Sequence, residues 1–344
     1  MTKLQFHFQD LKKASSPIDF FGDGTPEDDI ESVYKSLIRV VHPDMYPDED
    51  ERLMAEEATK LLNAVYALAQ EQIADGTYKE GGIKFTAKTR KESYVVKRLY
   101  AKGDLSSVYR CSWSDGVGLC KVGLNATVNT KLEHEFAVLK EVVHKMGHRI
   151  PVPVDTFLVN GTRANVYKAH EGIGSFEDLY TLEEVKKQYP DGIPARAFVW
   201  VWNRMLDICI TLHSEGYVHG ALLPNHILIN PESHLMMIVG WPHSVKIGEK
   251  ITFVPKEYKW WYPNEVLDKV GAYPETDLYL AAKSMQYVIG DSVPDVLTGQ
   301  LRACQMKGIA YREGNAHDLY NRFQDTIEKV FGTKKFVEFV MKGH

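Results

Sequence analysis

Cysteine is scarce in this chain. Its four residues, Cys111, Cys120, Cys209 and Cys304, are scattered, so neither a disulfide framework nor the paired ligands of a structural zinc site can be read from them. They are expected to be buried, reduced thiols. Long apolar runs are missing too: nowhere do about 18 uncharged apolar residues follow one another. The opening MTKLQFHFQDLKK has no unbroken apolar stretch of secretory length, and a cytoplasmic location without membrane contact is expected. A strong charge of either sign is also lacking. The formal net charge is -5 with acidic and basic residues intermixed, which provides no global field for nucleic acid or anionic lipid. What is abundant is apolar surface: 44% of the 344 residues are hydrophobic, enough for two or three cores.

In the first eighty residues, Thr25-Pro26-Glu27-Asp28 reads as a helix start. The threonine hydroxyl can cap free backbone N–H groups, proline suits the first helical position, and acidic side chains match the positive helix end. Ile30, Val33, Tyr34, Leu37, Ile38 and Val41 then recur at three- and four-residue steps, the stripe of an amphipathic helix. Proline at position 43 disfavours helical geometry at His42, and a loop to Asp48 follows. A second stripe, Leu53, Ala58, Leu61, Leu62, Val65, Tyr66 and Leu68, predicts a longer helix packed on the first as an antiparallel hairpin.

The hairpin with His42-Pro43-Asp44 in its loop, and with Asn63-Ala64-Val65-Tyr66 beyond it, resembles the J domain of DnaJ-type co-chaperones over residues 15–75. In that family the tripeptide and the basic face of the preceding helix engage a DnaK-type ATPase. The matching positions here are His42, Pro43, Asp44, Lys35 and Arg39. The plainer alternative is that the tripeptide only ends a helix. Two departures bear on it: Glu27, Asp28, Asp29 and Glu31 outnumber Lys35 and Arg39 on the helix, and Met45 stands where the family usually has lysine.

From Asp75 to Lys91 glycines and lysines replace apolar periodicity, and residues 76–93 read as a linker. Short β-rich runs follow from Tyr94, such as Ser107–Trp113 and Gly118–Val122, and helices dominate from Arg196. A small β-rich lobe before a larger helical one is the order seen in protein kinases, and an ordered series of motifs carries that resemblance. Ala101–Tyr109 resembles the glycine-rich loop, with only its middle glycine, Gly103, present. Lys121 falls at the strand lysine and Glu135 at its helix partner; both, with Gly103, are the candidate nucleotide contacts. Val218–Ile229 resembles the catalytic loop, Ile238–Pro242 the metal-binding turn, and Pro263-Asn264-Glu265 the Ala-Pro-Glu position. Asp277 begins the central helix, and Arg312 is the expected partner of Glu265.

Phosphoryl transfer needs a carboxylate beside the attacking hydroxyl and oxygen ligands for magnesium. At the three matching positions stand Ala221, His226 and Gly240, which supply neither. The reading is therefore an α+β protein: a J-domain helical hairpin at 1–75, a linker at 76–93, and a bilobal protein-kinase-like fold at 94–344. It is expected to be a pseudokinase with no catalytic residues, no metal, no cofactor beyond weak ATP binding, and no nucleic-acid partner. Its partners would be a DnaK-type chaperone and a protein client. A nucleotide-dependent transferase with unconventional chemistry and a pure interaction scaffold are the alternatives. His226 could join His219 or His243 on a transition metal, but no ligand spacing supports this. Lys121 with Glu135 can equally serve to hold the small lobe together, and Trp241, Trp260 and Trp261 read as core or interface aromatics. The closing run Lys334–Lys342 reads as an amphipathic helix.

Overall fold

A computed structural model describes residues 2–14, 16–21, 27–74, 78, 85–332 and 339–341. The chain divides into two units. One runs to Ala101 and takes in Val108–Val117; the other holds Lys102–Ser107 and the chain from Gly118 on.

The first unit opens with a helix not anticipated above, α1 (Lys3–Lys13). Its signal is local: Thr2 Oγ1 accepts from Gln5 N at 3.2 Å while Thr2 N donates to Gln5 Oε1 at 2.9 Å, a reciprocal capping box. Helices α2 (Pro17–Phe21), α3 (Glu27–Val41) and α4 (Glu49–Ala74) follow, with a 3₁₀ turn at Pro43–Met45 between the last two. The Thr25-Pro26 cap lies outside the described residues. Helix α4 touches all three others. Ala55, Ala58, Leu62 and Ala69 on its inner stripe meet Leu4 and Leu11 of α1, Phe21 of α2, and Ile30 and Val41 of α3 in one core. Each fully buried leucine or isoleucine there contributes about 1.5–3 kcal/mol.

Strands β1 (Phe85–Lys88), β2 (Ser93–Lys102) and β3 (Ser106–Trp113) follow in that order, β1 antiparallel to β2. Strand β1 corrects the linker expectation for its residues. Phe85 and Ala87 are half-buried while Thr86 and Lys88 are exposed, a two-residue alternation too short to stand out among lysines and glycines. Residues 76, 77 and 79–84 of that stretch lie outside the described residues.

From Gly118 the second unit takes in most of β4 (Gly116–Gly123), then α5 (Asn129–Met146), β5 (Val152–Val159) and β6 (Thr162–Lys168), with strands in the order β4-β6-β5, both pairs antiparallel. Next come β7 (Tyr180–Thr181), α6 (Leu182–Gln188), α7 (Ala195–Ser214), β8 (Tyr217–Val218), β9 (Ile227–Asn230), β10 (Leu235–Ile238) and β11 (Val245–Lys246). Helices α8 (Asn264–Leu267), α9 (Pro274–Val288), α10 (Asp295–Cys304) and α11 (Ala316–Phe331) close the unit. Helices α7 and α9 supply its centre: Phe198, Trp202, Met205 and Leu206 of α7 and Leu278, Ala281 and Met285 of α9 are fully buried. Phe323 of α11 meets Phe198 edge to face at 5.9 Å between centroids.

All four cysteines are free and buried, and burial raises the thiols of Cys111 and Cys304 to about 12. The helix expected over Lys334–Lys342 lies mostly outside the described residues. Phe339–Met341 is not helical; Phe339 and Met341 are buried, and Val340 O accepts from Tyr189 Oη at 2.6 Å. No described helix is long and apolar enough to cross a membrane.

Candidate functional site

In the first unit the loop between α3 and α4 presents its tripeptide to solvent. His42 Nδ1 accepts from Asp44 N at 3.3 Å, and the Asp44 carboxylate lies 3.5 Å from the same nitrogen. The loop base is fixed from both sides: Tyr46 Oη donates to Val40 O at 2.6 Å and Thr59 Oγ1 to Val41 O at 2.9 Å. Tyr66 stacks on Tyr34 at 4.0 Å, and Tyr34 Oη donates to Asn63 Oδ1 at 2.8 Å, so Asn63 and Tyr66 clamp α3 to α4. Along the exposed side of α3, Glu31, Ser32, Lys35, Ser36 and Arg39 line a shallow polar depression of about 450 Å³. Lys35 bonds Glu31 one turn back at 2.7 Å, which holds its ammonium charged, whereas Arg39 stands exposed.

In the second unit the expected lysine and glutamate meet. Lys121 Nζ of β4 reaches Glu135 Oε1 of α5 at 2.8 Å, with side chains 14% and 3% exposed. At the turn before β3, Gly103 N donates to Ser106 O at 2.9 Å, and the Asp104 carboxylate accepts from Lys256 N at 2.8 Å. Gly103 has no left-handed backbone, and a Cβ there would meet nothing closer than 3.7 Å.

The loop between β8 and β9 hangs on buried polar groups. Asp277, wholly buried on α9, accepts from His219 N and Gly220 N at 2.8 Å each, and its Oδ2 lies 3.1 Å from His213 Nε2. Tyr262 Oη donates to Gly220 O at 2.9 Å and Ser284 Oγ to Leu222 O at 2.8 Å. The loop backbone is thus held at four amide or carbonyl groups, on His219, Gly220 and Leu222, by bonds that the low local dielectric strengthens.

His226 brings together Ala221 of the same loop and Gly240, which follows β10. His226 Nδ1 donates to Ala221 O at 3.0 Å. Gly240 adopts the left-handed φ of +89°, and a Cβ on it would lie 2.5 Å from His226 Nδ1. The imidazole therefore fills the volume into which a side chain at 240 would project. Nearby, His219 stands edge-on to Trp241 at 4.7 Å, and His243 lies 6.0 Å from His226 between ring centroids. Desolvation is the main cause that lowers all three histidines: His219 to about 4, His226 to about 3, and His243 well below the usual range. Lys121 adds like-charge repulsion to each, while Asp277 opposes the shift at His219. All three are neutral near pH 7. Among the described residues no group of three metal-capable side chains comes together.

Several contacts here were not foreseen. His134 Nε2 of α5 donates to Ser244 O at 2.7 Å, Lys131 Nζ sits 3.3 Å over the Phe253 ring, and His243 Nδ1 donates to Phe253 O at 3.2 Å. The first two bind the segment after Gly240 to α5, and the third ties that segment to itself. No spacing in the sequence announces them, because the partners are about 110 and 120 residues apart. Glu265 and Arg312 do form the expected pair, both buried, and Arg312 also lies over Tyr279 at 4.5 Å.

No family model matches the chain. Among solved structures, that of vaccinia related kinase 3 aligns with 72% of this chain and 91% of its own, at a TM-score of 0.54 and 14% identity. A double mutant of the Mycobacterium tuberculosis PknI kinase domain aligns with 72% of this chain and 98% of its own, at 0.54 and 13%. The chain has a protein-kinase-like fold. At such identity the likeness extends to architecture alone; the Lys121–Glu135 pair, the Asp277-bound loop and the Glu265–Arg312 pair are ties observed in this chain itself. The chemistry at Ala221, His226 and Gly240 has to be argued from those residues themselves.

Proposed function

We propose that the protein is a non-catalytic adaptor, in which a J domain recruits a DnaK-type ATPase and the kinase-like region, a pseudokinase, holds a protein client. The observation that carries the non-catalytic half is the packing of His226 into the space beside Gly240. Transfer of a phosphoryl group needs a metal bridge, and an imidazole wedged against a glycine offers hard magnesium no oxygen. Ala221, likewise, can neither orient nor deprotonate a hydroxyl. The co-chaperone half is supported by the exposed His42-Pro43-Asp44 loop on a firmly clamped helical pair. The test is a pair of assays on the full chain: labelled-ATP transfer to the protein and to generic substrates, and stimulation of the host's DnaK-type ATPase. Absence of transfer together with stimulation lost in His42→Gln supports the reading. Transfer abolished by Lys121→Ala would overturn the first half, and failure to stimulate the second.

The intact Lys121–Glu135 pair favours one other reading, a nucleotide-dependent transferase of unconventional chemistry. Calorimetry separates the two, since a transferase would bind ATP tightly and with a dependence on divalent metal.

A further inference from the structure

Phe339, Val340 and Met341 belong to no helix or strand, yet they are held. Phe339 and Met341 are 3% and 9% exposed while Val340 between them is 54% exposed, so that every second side chain is laid down on the second unit. The Phe339 ring tilts against Tyr189 at 5.0 Å between centroids and meets Trp200 edge to face at 6.4 Å. Tyr189 Oη donates to the Val340 carbonyl at 2.6 Å. Two apolar anchors with a main-chain bond between them read side-chain type at alternate positions and leave the middle one open.

The seat is built without its occupant. Tyr189 stands at the end of α6, where its N donates to Val185 O at 2.8 Å and its O accepts from Gly192 N at 3.0 Å. Trp200 of α7 stacks on His234 at 4.5 Å, and Arg204, one turn further along α7, donates from Nε to His234 O at 3.0 Å. None of these contacts uses Phe339–Met341. The aromatic surface is in place before anything lies on it, and a ligand does not have to order it.

The occupant, by contrast, is weakly committed. Two buried side chains and one hydrogen bond stand against the entropy of fixing three residues, and the two sides are of similar size. Among the described residues no backbone–backbone bond joins the segment to the fold, and Phe339–Met341 offers no acceptor to the buried indole N–H of Trp200. Proximity favours it: Phe331 at the end of α11 lies against Arg196 of α7 at 4.6 Å, and only residues 332–338 separate it from Phe339.

We propose that the seat of Tyr189 and Trp200 docks a segment of a partner protein that carries an aromatic residue, any residue and then an unbranched apolar one, and that Phe339–Met341 is a tethered competitor which withholds the site. The aromatic residue lies on Tyr189 and Trp200, and the middle carbonyl accepts from the Tyr189 hydroxyl. Such docking goes beyond the adaptor reading and is independent of whether the kinase-like region transfers phosphate.

The probe is a fluorescent decapeptide of glycine and serine with Phe-Thr-Met at its centre, titrated into the full chain by anisotropy. A control peptide carries serine for the phenylalanine and the methionine. Phe339→Ser unseats the competitor, and that chain should bind the probe about tenfold tighter than the unaltered one. In the same background Tyr189→Ala should weaken binding about tenfold, and Tyr189→Phe, which loses only the hydroxyl, about fivefold. The control peptide should not bind. An unchanged melting curve certifies Phe339→Ser; should that variant unfold, Met341→Ser removes the other anchor instead, with an expected gain of about threefold. No binding to the opened chain, equal binding of the control, or indifference to Tyr189→Ala would overturn the docking site. Equal affinity for the unaltered and opened chains would overturn the tethered competitor. A dimer of the unaltered chain in sedimentation, lost in Phe339→Ser and unaccompanied by probe binding, would also overturn the proposal and assign the seat to the same segment of a second copy.

Discussion

The two units place their candidate functional residues in opposite ways. In the first, His42, Asp44, Lys35 and Arg39 lie on the surface, and stability comes from the apolar stripes of α1 to α4 behind them. In the second, Lys121, Glu135, Ala221, His226 and Gly240 lie within polar and aromatic packing, where each is also a structural member. Surface residues can be exchanged with little effect on folding, so their type reports on a partner. Interior ones answer to packing first, and a change there moves fold and chemistry together.

The contrast breaks most visibly at Asp277. Replacement by alanine strands the amides of His219 and Gly220 in a dry interior and should cost about 3–5 kcal/mol. Urea unfolding of the full chain would measure it, and a loss below about 1 kcal/mol would mean that water takes over the carboxylate's place.

Acid is expected to act next. His219, His226 and His243 bind protons less readily in the folded state than their ordinary value near 6.5, so the unfolded chain binds more protons as pH falls below that value. Their contribution is fully present above about pH 6.5 and is lost progressively toward pH 4 and 3, at about 1.4 kcal/mol for each tenfold difference in proton affinity. Denaturant midpoints followed from pH 7.5 to 4.5 should fall, and fall less in His226→Asn. A flat profile would show that the imidazoles are hydrated.

A smaller effect sharpens the same comparison. Gly240→Ala puts a Cβ into the His226 ring on a left-handed backbone and should cost about 1–3 kcal/mol. His226→Ala in the same chain should recover part of the loss. Strictly additive double-mutant energies would deny that the two positions share one volume.

The smallest effect belongs to the exposed loop. His42→Gln should shift stability by no more than about 0.5 kcal/mol while removing any stimulation of a DnaK-type ATPase. A larger loss of stability would make His42 a structural residue like those of the second unit.

Much of this was legible in the sequence for particular reasons. The stripes of α3 and α4 were visible because helical spacing repeats locally, and the Pro43 stop because proline acts on its neighbour. Helix α1 was overlooked although Thr2 and Gln5 carry the signature of its cap. Strand β1 was missed because four alternating residues mean little until β2 lies beside them. The pairs Lys121–Glu135 and Glu265–Arg312 were expected from resemblance and are formed, while the ties of Asp104, Lys131 and His134 to the segment after Gly240 went unseen.

The sequence by itself determined which side chains are available at the critical positions: no carboxylate at 221 or 240, an imidazole at 226, a His-Pro-Asp turn between two amphipathic helices. Chemical identity is a property of single residues and needs no fold to be read. Only the tertiary structure decided that the His226 ring occupies the space beside Gly240, that three histidines stay neutral together, and that Trp260 faces outward while Trp261 turns in. Shared volume, desolvation and exposure depend on neighbours distant in the chain, and no local pattern encodes them.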